Sequence, residues 1–203
     1  MIETVNNIEK LRQIALEQHG FVTSSQANDI GVSRSALAML KKRNRIDRVV
    51  PGVYRIPQVQ ETENDCYELA LLWTGRQDAS LCAETALDIW DVCDINPSNI
   101  HIAVPKGTRI NKQGGENYVI HKIDFNSVRV TWFDGMKILD CYSTIYQCFQ
   151  MDTPVYLLRQ AVKNAFAKGL ILDVEEDFLN KMIEEEITKV QQVSSQKNLK
   201  RLL

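Results

Sequence analysis

The sequence predicts an α+β protein, an N-terminal winged helix-turn-helix followed by a mixed α+β domain. Three observations lead there. The stretch Thr23–Ile56 carries helix, turn, helix and hairpin signals in the order that such a head requires. Within Arg34–Arg55 there are seven basic residues and one acid, Asp47. Beyond residue 65 the apolar residues recur with helical and strand-like periods in turn, without any internal repeat.

The head begins with residues 6–19, where Ile8, Leu11, Ile14 and Ala15 form one helical stripe that Gly20 ends. His19, in the last turn, reads as a surface residue. Phe21 and Val22 form a short strand able to pair with the wing. Thr23 caps the next helix, and Gln26 three residues on completes a capping box. Gly31 supplies the positive φ that ends this short helix. Ser33 caps the second helix, Arg34–Arg43. Ala27, Ile30, Val32, Leu37 and Leu40 fall at the small-contact and core positions of the motif. Val50-Pro51-Gly52-Val53 suits a type II turn, Pro fixing φ and Gly taking φ > 0. Val49, Val53 and Ile56 are its strand-forming flanks.

Charge separates this head from the rest of the chain. Residues 1–58 carry nine Lys/Arg against five Asp/Glu, a net +4, while the remainder carries fifteen against twenty-one, a net −6. A phosphate backbone attracts the first kind of surface and repels the second. The expected DNA-contacting residues are Ser24, Ser33, Arg34, Ser35, Lys41, Lys42, Arg43, Arg45, Arg48, Tyr54 and Arg55. Arg34, Ser35 and Ala38 lie on the outer face at the helix start, where base edges are read. Lys41, Lys42 and Arg43 come at its C-terminal end, suited to phosphates. Arg45 and Arg48 lead into the wing and Arg55 leaves it. For Tyr54, packing under the wing competes evenly with a phosphate contact.

Residues 57–65 are polar, with one Pro and three acids, and mark the expected linker between domains 1–58 and 62–203. A helix starts from Cys66, closed by Gly75, then a strand end at Ser80–Cys82 and a helix with Leu87 and Trp90 on one side. Asn99–Val104, YVIHKI and SVRVTW read as strands. Phe133-Asp134-Gly135 is a turn leading into MKIL. Three helices complete the chain: Cys141–Phe149, Val155–Lys168 with Phe166 counted in its apolar face, and one capped by Asp173, before a tail with a short turn. The sheet is expected to be small and antiparallel.

Catalytic chemistry is not expected. No phosphate-cradling glycine motif is present; Lys106-Gly107 and Gly114-Gly115 belong to a hairpin loop. His101 and His121 could approach each other on neighbouring strands, but no further ligands at useful spacing accompany them, so neither a metal nor another cofactor is expected. Asp134, Lys137 and Asp140 leave a nuclease as the competing enzymatic reading, with a polar turn preferred. The five cysteines include no C-x-x-C pair and read as reduced, buried thiols of a cytoplasmic protein. No apolar run reaches membrane-spanning length, and the first residues lack the pattern of a secretory signal.

The head resembles the N-terminal domain of AbiEi-type antitoxins of bacterial type IV toxin–antitoxin systems. The pattern is carried by "g-v-t-x-x-e/q-l/a" at Gly20–Ala27, "g-v-s-r-x-x-l-x-x-L" at Gly31–Leu40 and "r-v-x-x-G-v-Y-r" at Arg48–Arg55. The later chain is similar through Ser80–Trp90, the Ile100–Pro105 strand and Val119–Lys122; where such chains show "T-x-x-R-T-L-x-D", this one has ILDCYSTIYQC. The resemblance implies an antitoxin that represses its own operon by binding double-stranded DNA at promoter repeats. It further implies a nucleotidyltransferase-like toxin as functional partner, without the need for a stable complex. The residues alone lead to a two-domain DNA-binding regulator, and an ordinary winged-helix transcription factor whose second domain binds a small ligand or partner protein is the alternative.

Overall fold

The computed structural model describes residues 2–201, with side chains over residues 7–189. The chain forms two compact units. The first takes in the chain up to Leu81 together with Ser98–Ile138; the second comprises Cys82–Pro97 and the chain from Leu139 onward.

In the first unit, α1 (Ile2–Leu16) is followed by β1 (Phe21–Thr23), α2 (Ser24–Asp29), α3 (Arg34–Lys42), β2 (Asp47–Val50) and β3 (Val53–Arg55). The three strands form one antiparallel sheet in the order β1-β3-β2. Phe21 and Val22 therefore pair with the wing as expected, opposite Arg55 and Tyr54. Ile8, Leu11, Ala15, Val22, Ala27, Val32, Leu37, Leu40, Ile46 and Ile56 make the core beneath. Burying such side chains contributes about 1.5–3 kcal/mol each for the larger ones, so this small head rests mainly on that cluster.

This unit continues past the 57–65 segment. Helix α4 (Asp65–Thr74) ends at Gly75 in the left-handed conformation, and five strands come after it: β4 (Ser80–Leu81), β5 (Ile100–Pro105), β6 (Tyr118–Ile123), β7 (Val130–Phe133) and β8 (Met136–Leu139). Their order is β6-β5-β4-β8-β7. The sheet is mixed, which corrects the antiparallel expectation: β4 pairs antiparallel with β5, but β5–β6 and β4–β8 are parallel. The long connection from Lys106 to Asn117 makes this possible, because it returns the chain to the same end of the sheet before β6 starts. The SVRVTW segment is only half strand, since Asp124 caps a 3-10 turn over Phe125–Ser127. Asp134 and Gly135, both with positive φ, make the two-residue hairpin turn between β7 and β8. Trp73 is buried against the long connection, its Nε1 donating to the Gln113 carbonyl at 2.8 Å.

The second unit is helical: α5 (Ala83–Trp90), α6 (Cys141–Gln150), α7 (Val155–Ala167) and α8 (Asp173–Arg201). Helix α5 packs on α6, and α7 packs on α6 and α8. The first helical residue, Ala83, has φ +49 and its N–H is held by Gln147 Oε1 at 3.0 Å. Leu157, Leu158, Ala161, Val162 and Ala165 are buried along α7, whereas Phe166 is exposed, outside the apolar face assigned to it. The tail, expected as a short turn, continues α8 through Arg201; Leu202 and Leu203 lie outside the described residues. All five cysteines are free thiols; four are buried in this unit and Cys66 of the first is exposed. Burial pushes the Cys93 thiol up to about 11 and those of Cys141 and Cys148 to about 12. These thiols are protonated and unreactive.

Candidate nucleic-acid interface

The helix-turn-helix is set by local hydrogen bonds that the sequence spells out. The Thr23 side chain accepts from the Gln26 N–H at 3.2 Å, and Gln26 Oε1 accepts from the Thr23 N–H at 2.9 Å, a complete capping box. Gly31 turns the chain at φ +81 with open space where a side chain would stand, so it is the backbone conformation that calls for glycine. The Ser33 hydroxyl accepts from the Ala36 N–H at 3.2 Å and lies 2.8 Å from Ser35 Oγ. Ser33 is therefore the cap of α3, and its side chain is already engaged.

Successive α-helical residues turn by 100°, so residues 34, 35, 38, 41 and 42 share one arc of α3. All five are exposed, while Leu37 and Leu40 on the opposite side are buried. Arg34, Ser35, Lys41 and Lys42 thus form a single outward surface. Arg43, Arg45 and Arg48 are exposed along the path into the wing. Arg34, Lys41, Lys42, Arg45 and Arg48 hold no ion pair among the described residues, so their charge faces outward. Ser24 is half-buried at the start of α2, and its N–H donates to the Gly52 carbonyl at 2.8 Å, tying the wing turn to the motif. Tyr54 is half-buried with its ring against the head core.

Arg55 stands apart from this set. Its side chain is only 12% exposed and turns inward. Nη1 donates to Asp65 Oδ2 at 2.6 Å and to the His19 carbonyl at 2.8 Å, and Nη2 to the Val59 carbonyl at 3.3 Å. The guanidinium also lies 5.0 Å from the centre of the Phe21 ring. Placed at DNA by its charge and position, Arg55 is instead a clamp between the wing's last strand and α4. His19, read as a surface residue, belongs to the same junction: its ring is 9% exposed, with Nδ1 3.0 Å from Thr62 Oγ1 and Nε2 2.9 Å from the Asp134 carbonyl. No sequence motif announces either role: Arg55 reaches the His19 carbonyl 36 positions back as well as Asp65 beyond the wing, and His19 meets Thr62 and Asp134, 43 and 115 positions on.

The residues that left catalysis open have structural engagements. Asp134 Oδ2 accepts from Asn64 Nδ2 at 2.8 Å, Lys137 Nζ donates to the Gln77 carbonyl at 2.9 Å, and Asp140 caps α6 by accepting from the Ser143 N–H at 2.8 Å. His101 and His121 do meet, with His121 Nε2 3.0 Å from His101 Nδ1 and the rings stacked at 5.1 Å. Burial, and then the neighbouring His101, lower His121 to about 4. Among the described residues no three His, Cys, Asp or Glu side chains are grouped to hold a metal ion.

A helix-turn-helix, a paired wing and an outward basic arc define the head of a DNA-binding transcriptional regulator. Residues 9–57, which contain that motif from the second half of α1 to the end of the wing, match the family of AbiEi antitoxin transcriptional regulators. Among solved structures, the crystal structure of the RV2827C protein from Mycobacterium tuberculosis is similar in fold, with a TM-score of 0.51 at 15% identity. That similarity covers 83% of this chain and 69% of that one. No curated protein matches the chain. No helix among the described residues is long and apolar enough to cross a membrane.

Proposed function

We propose that the chain is a sequence-specific repressor that binds repeats at its own promoter and also serves as the antitoxin of a type IV toxin–antitoxin system. The observation that carries the DNA half is the shared outward arc of Arg34, Ser35, Lys41 and Lys42, backed by two apolar anchors and continued by Arg45 and Arg48. Ser24, Arg43 and Tyr54 complete the proposed contact set, and Arg55 is left out because its cation is engaged internally. The antitoxin half is supported by the family match over the head and by the acidic, −6 remainder, which suits a protein-level role better than a second grip on DNA. In this reading residues 1–58 read DNA and the chain from residue 62 opposes a nucleotidyltransferase-like toxin in the cytoplasm, without a stable complex.

Fluorescence anisotropy on promoter DNA across a salt series tests the docking. About five phosphate contacts give a log–log slope of roughly −4 to −5 per head, and a flat response would reject this interface. Growth rescue tests the second half. The full-length Arg34→Ala/Lys42→Ala chain should lose promoter binding and still relieve arrest by the toxin encoded beside it. Loss of rescue together with DNA binding would place antitoxicity in repression alone.

A further inference from the structure

A cavity of about 590 Å³ opens within the first compact unit, walled by the head on one side and by α4 and the sheet on the other. Helix α4 presents Glu68, Leu71 and Leu72 to it, residues spaced i, i+3 and i+4 and so on one helical face, with its cap Gly75 beyond. The head contributes Gln26 of α2 and the wing turn at Pro51 and Gly52.

Glu68 is the anomaly of this wall. It is 7% exposed, and its carboxyl makes no hydrogen bond or ion pair among the described residues. A sheltered carboxylate without a partner is costly, and because its oxygens are not themselves sealed off, a counter-charge entering the cavity can reach it. Burial pushes it up to about 7, against an opposing pull from His19 on the head. The other charged groups around the cavity are Asp29, Arg76, Lys112 and Lys137. Arg76 is paired with Asp78, Lys137 is hydrogen-bonded to Gln77, and both nitrogens of His19 are engaged. Lys112 stands beside Gly75, about two helical turns along from Glu68, and is itself desolvated.

We propose that this cavity is a ligand site for a small organic cation, with an amine or guanidinium head paired to Glu68 and an apolar body along Leu71 and Leu72. Because the wing turn and α2 form part of the wall, occupancy alters how firmly the wing is held and thereby operator affinity. That coupling rests on the proposed DNA-binding function; the ligand site does not.

The test is calorimetric titration of the full-length protein, without DNA, with n-propylguanidinium and with butyrate as its anionic counterpart. Saturable binding of propylguanidinium is expected at pH 8, about tenfold weaker at pH 6, because a carboxyl titrating near 7 is mostly ionised at the first pH and mostly protonated at the second. Glu68→Gln should weaken binding at least tenfold at pH 8 and abolish its pH dependence; a pH dependence that survives in this variant would overturn the proposal. Lys112→Ala, which removes the competing cation, should bind as well or better. No binding at pH 8, preference for butyrate, or equal binding by Glu68→Gln would each overturn it. Operator affinity measured with and without saturating propylguanidinium reads the coupling separately: a shift that Glu68→Gln removes supports it, and an unchanged affinity rejects the coupling.

Discussion

Arg34 and Lys42 share an exposed arc, yet their positions on α3 assign them different work. Arg34 is the first helical residue, next to the Ser33 cap, where side chains reach base edges; Lys42 is in the last turn, where they reach phosphates. Arg34→Ala is expected to cost about 1–3 kcal/mol on the operator and to relax specificity at one position. Lys42→Ala should weaken operator and random DNA alike. Competition binding on both DNAs decides, and equal losses for both variants would reject the assignment. Arg55 gives the contrasting case. Arg55→Met removes the partner of Asp65 and orphans the His19 and Val59 carbonyls, at a cost of about 2–4 kcal/mol in folding. Its signature is a lowered urea midpoint with an unchanged salt slope on DNA. A shallower slope at intact stability would return Arg55 to the DNA surface.

At the scale of the element, the wing turn depends on one residue. Gly52 sits at φ +84, and a Cβ there would meet Ser24 Oγ at 3.4 Å. Gly52→Ala should therefore cost about 1–2 kcal/mol from the left-handed backbone and weaken operator binding by displacing the wing, while leaving the salt slope intact. Thermal unfolding and anisotropy together test this, and a variant as stable as the parent would show that the turn accommodates a side chain. The head was legible in the sequence because its determinants are local: Thr23 and Gln26 three apart, Gly31 between two helices, Ser33 before a helix, Pro51-Gly52 between strands. The direction of the β5–β6 pair was not, since it depends on where a long connection sets the chain down. Phe166 went astray for a related reason: helical spacing gives a stripe, but the width of that stripe buried on α7 is decided by α6 and α8. Among the residues around the candidate sites, Arg55 was assigned to DNA and His19 to the surface, and Glu68 was not singled out, because each role depends on tertiary partners or on the lack of one.

At the scale of the molecule, one buried and one half-buried group, Glu68 and His121, pull stability in opposite directions with pH. Glu68 holds its proton more tightly folded, at about 7 against an ordinary 4.5, so between those values the folded chain carries the extra proton and stability falls as pH rises. His121 holds its proton less tightly folded, at about 4 against 6.5, so there the unfolded chain carries the extra proton and stability is lost as pH falls through that window. Each changes stability by about 3 kcal/mol across its window. Their contributions largely cancel between pH 4.5 and 6.5. Glu68→Gln should uncover a stability that rises from pH 4 to 6.5 and then levels; His121→Asn should uncover one that falls from pH 4.5 to 7. Urea midpoints across pH check both, and parent-like profiles in the two variants would reject the assignment. The interleaving of the two units has its own consequence during synthesis. The chain leaves the first unit at Leu81, lays down α5, and comes back at Ser98 before the second unit resumes at Leu139. As the ribosome adds residues 98–138, α5 waits with Ala83, Ala86 and Leu87 uncovered, because α6, on which it packs, has not been made. Meanwhile β4 has gained β5 but not β8, its neighbour on the other side. A nascent chain stalled between Pro105 and Met136 therefore offers quality control both a bare helix and an unpaired strand edge.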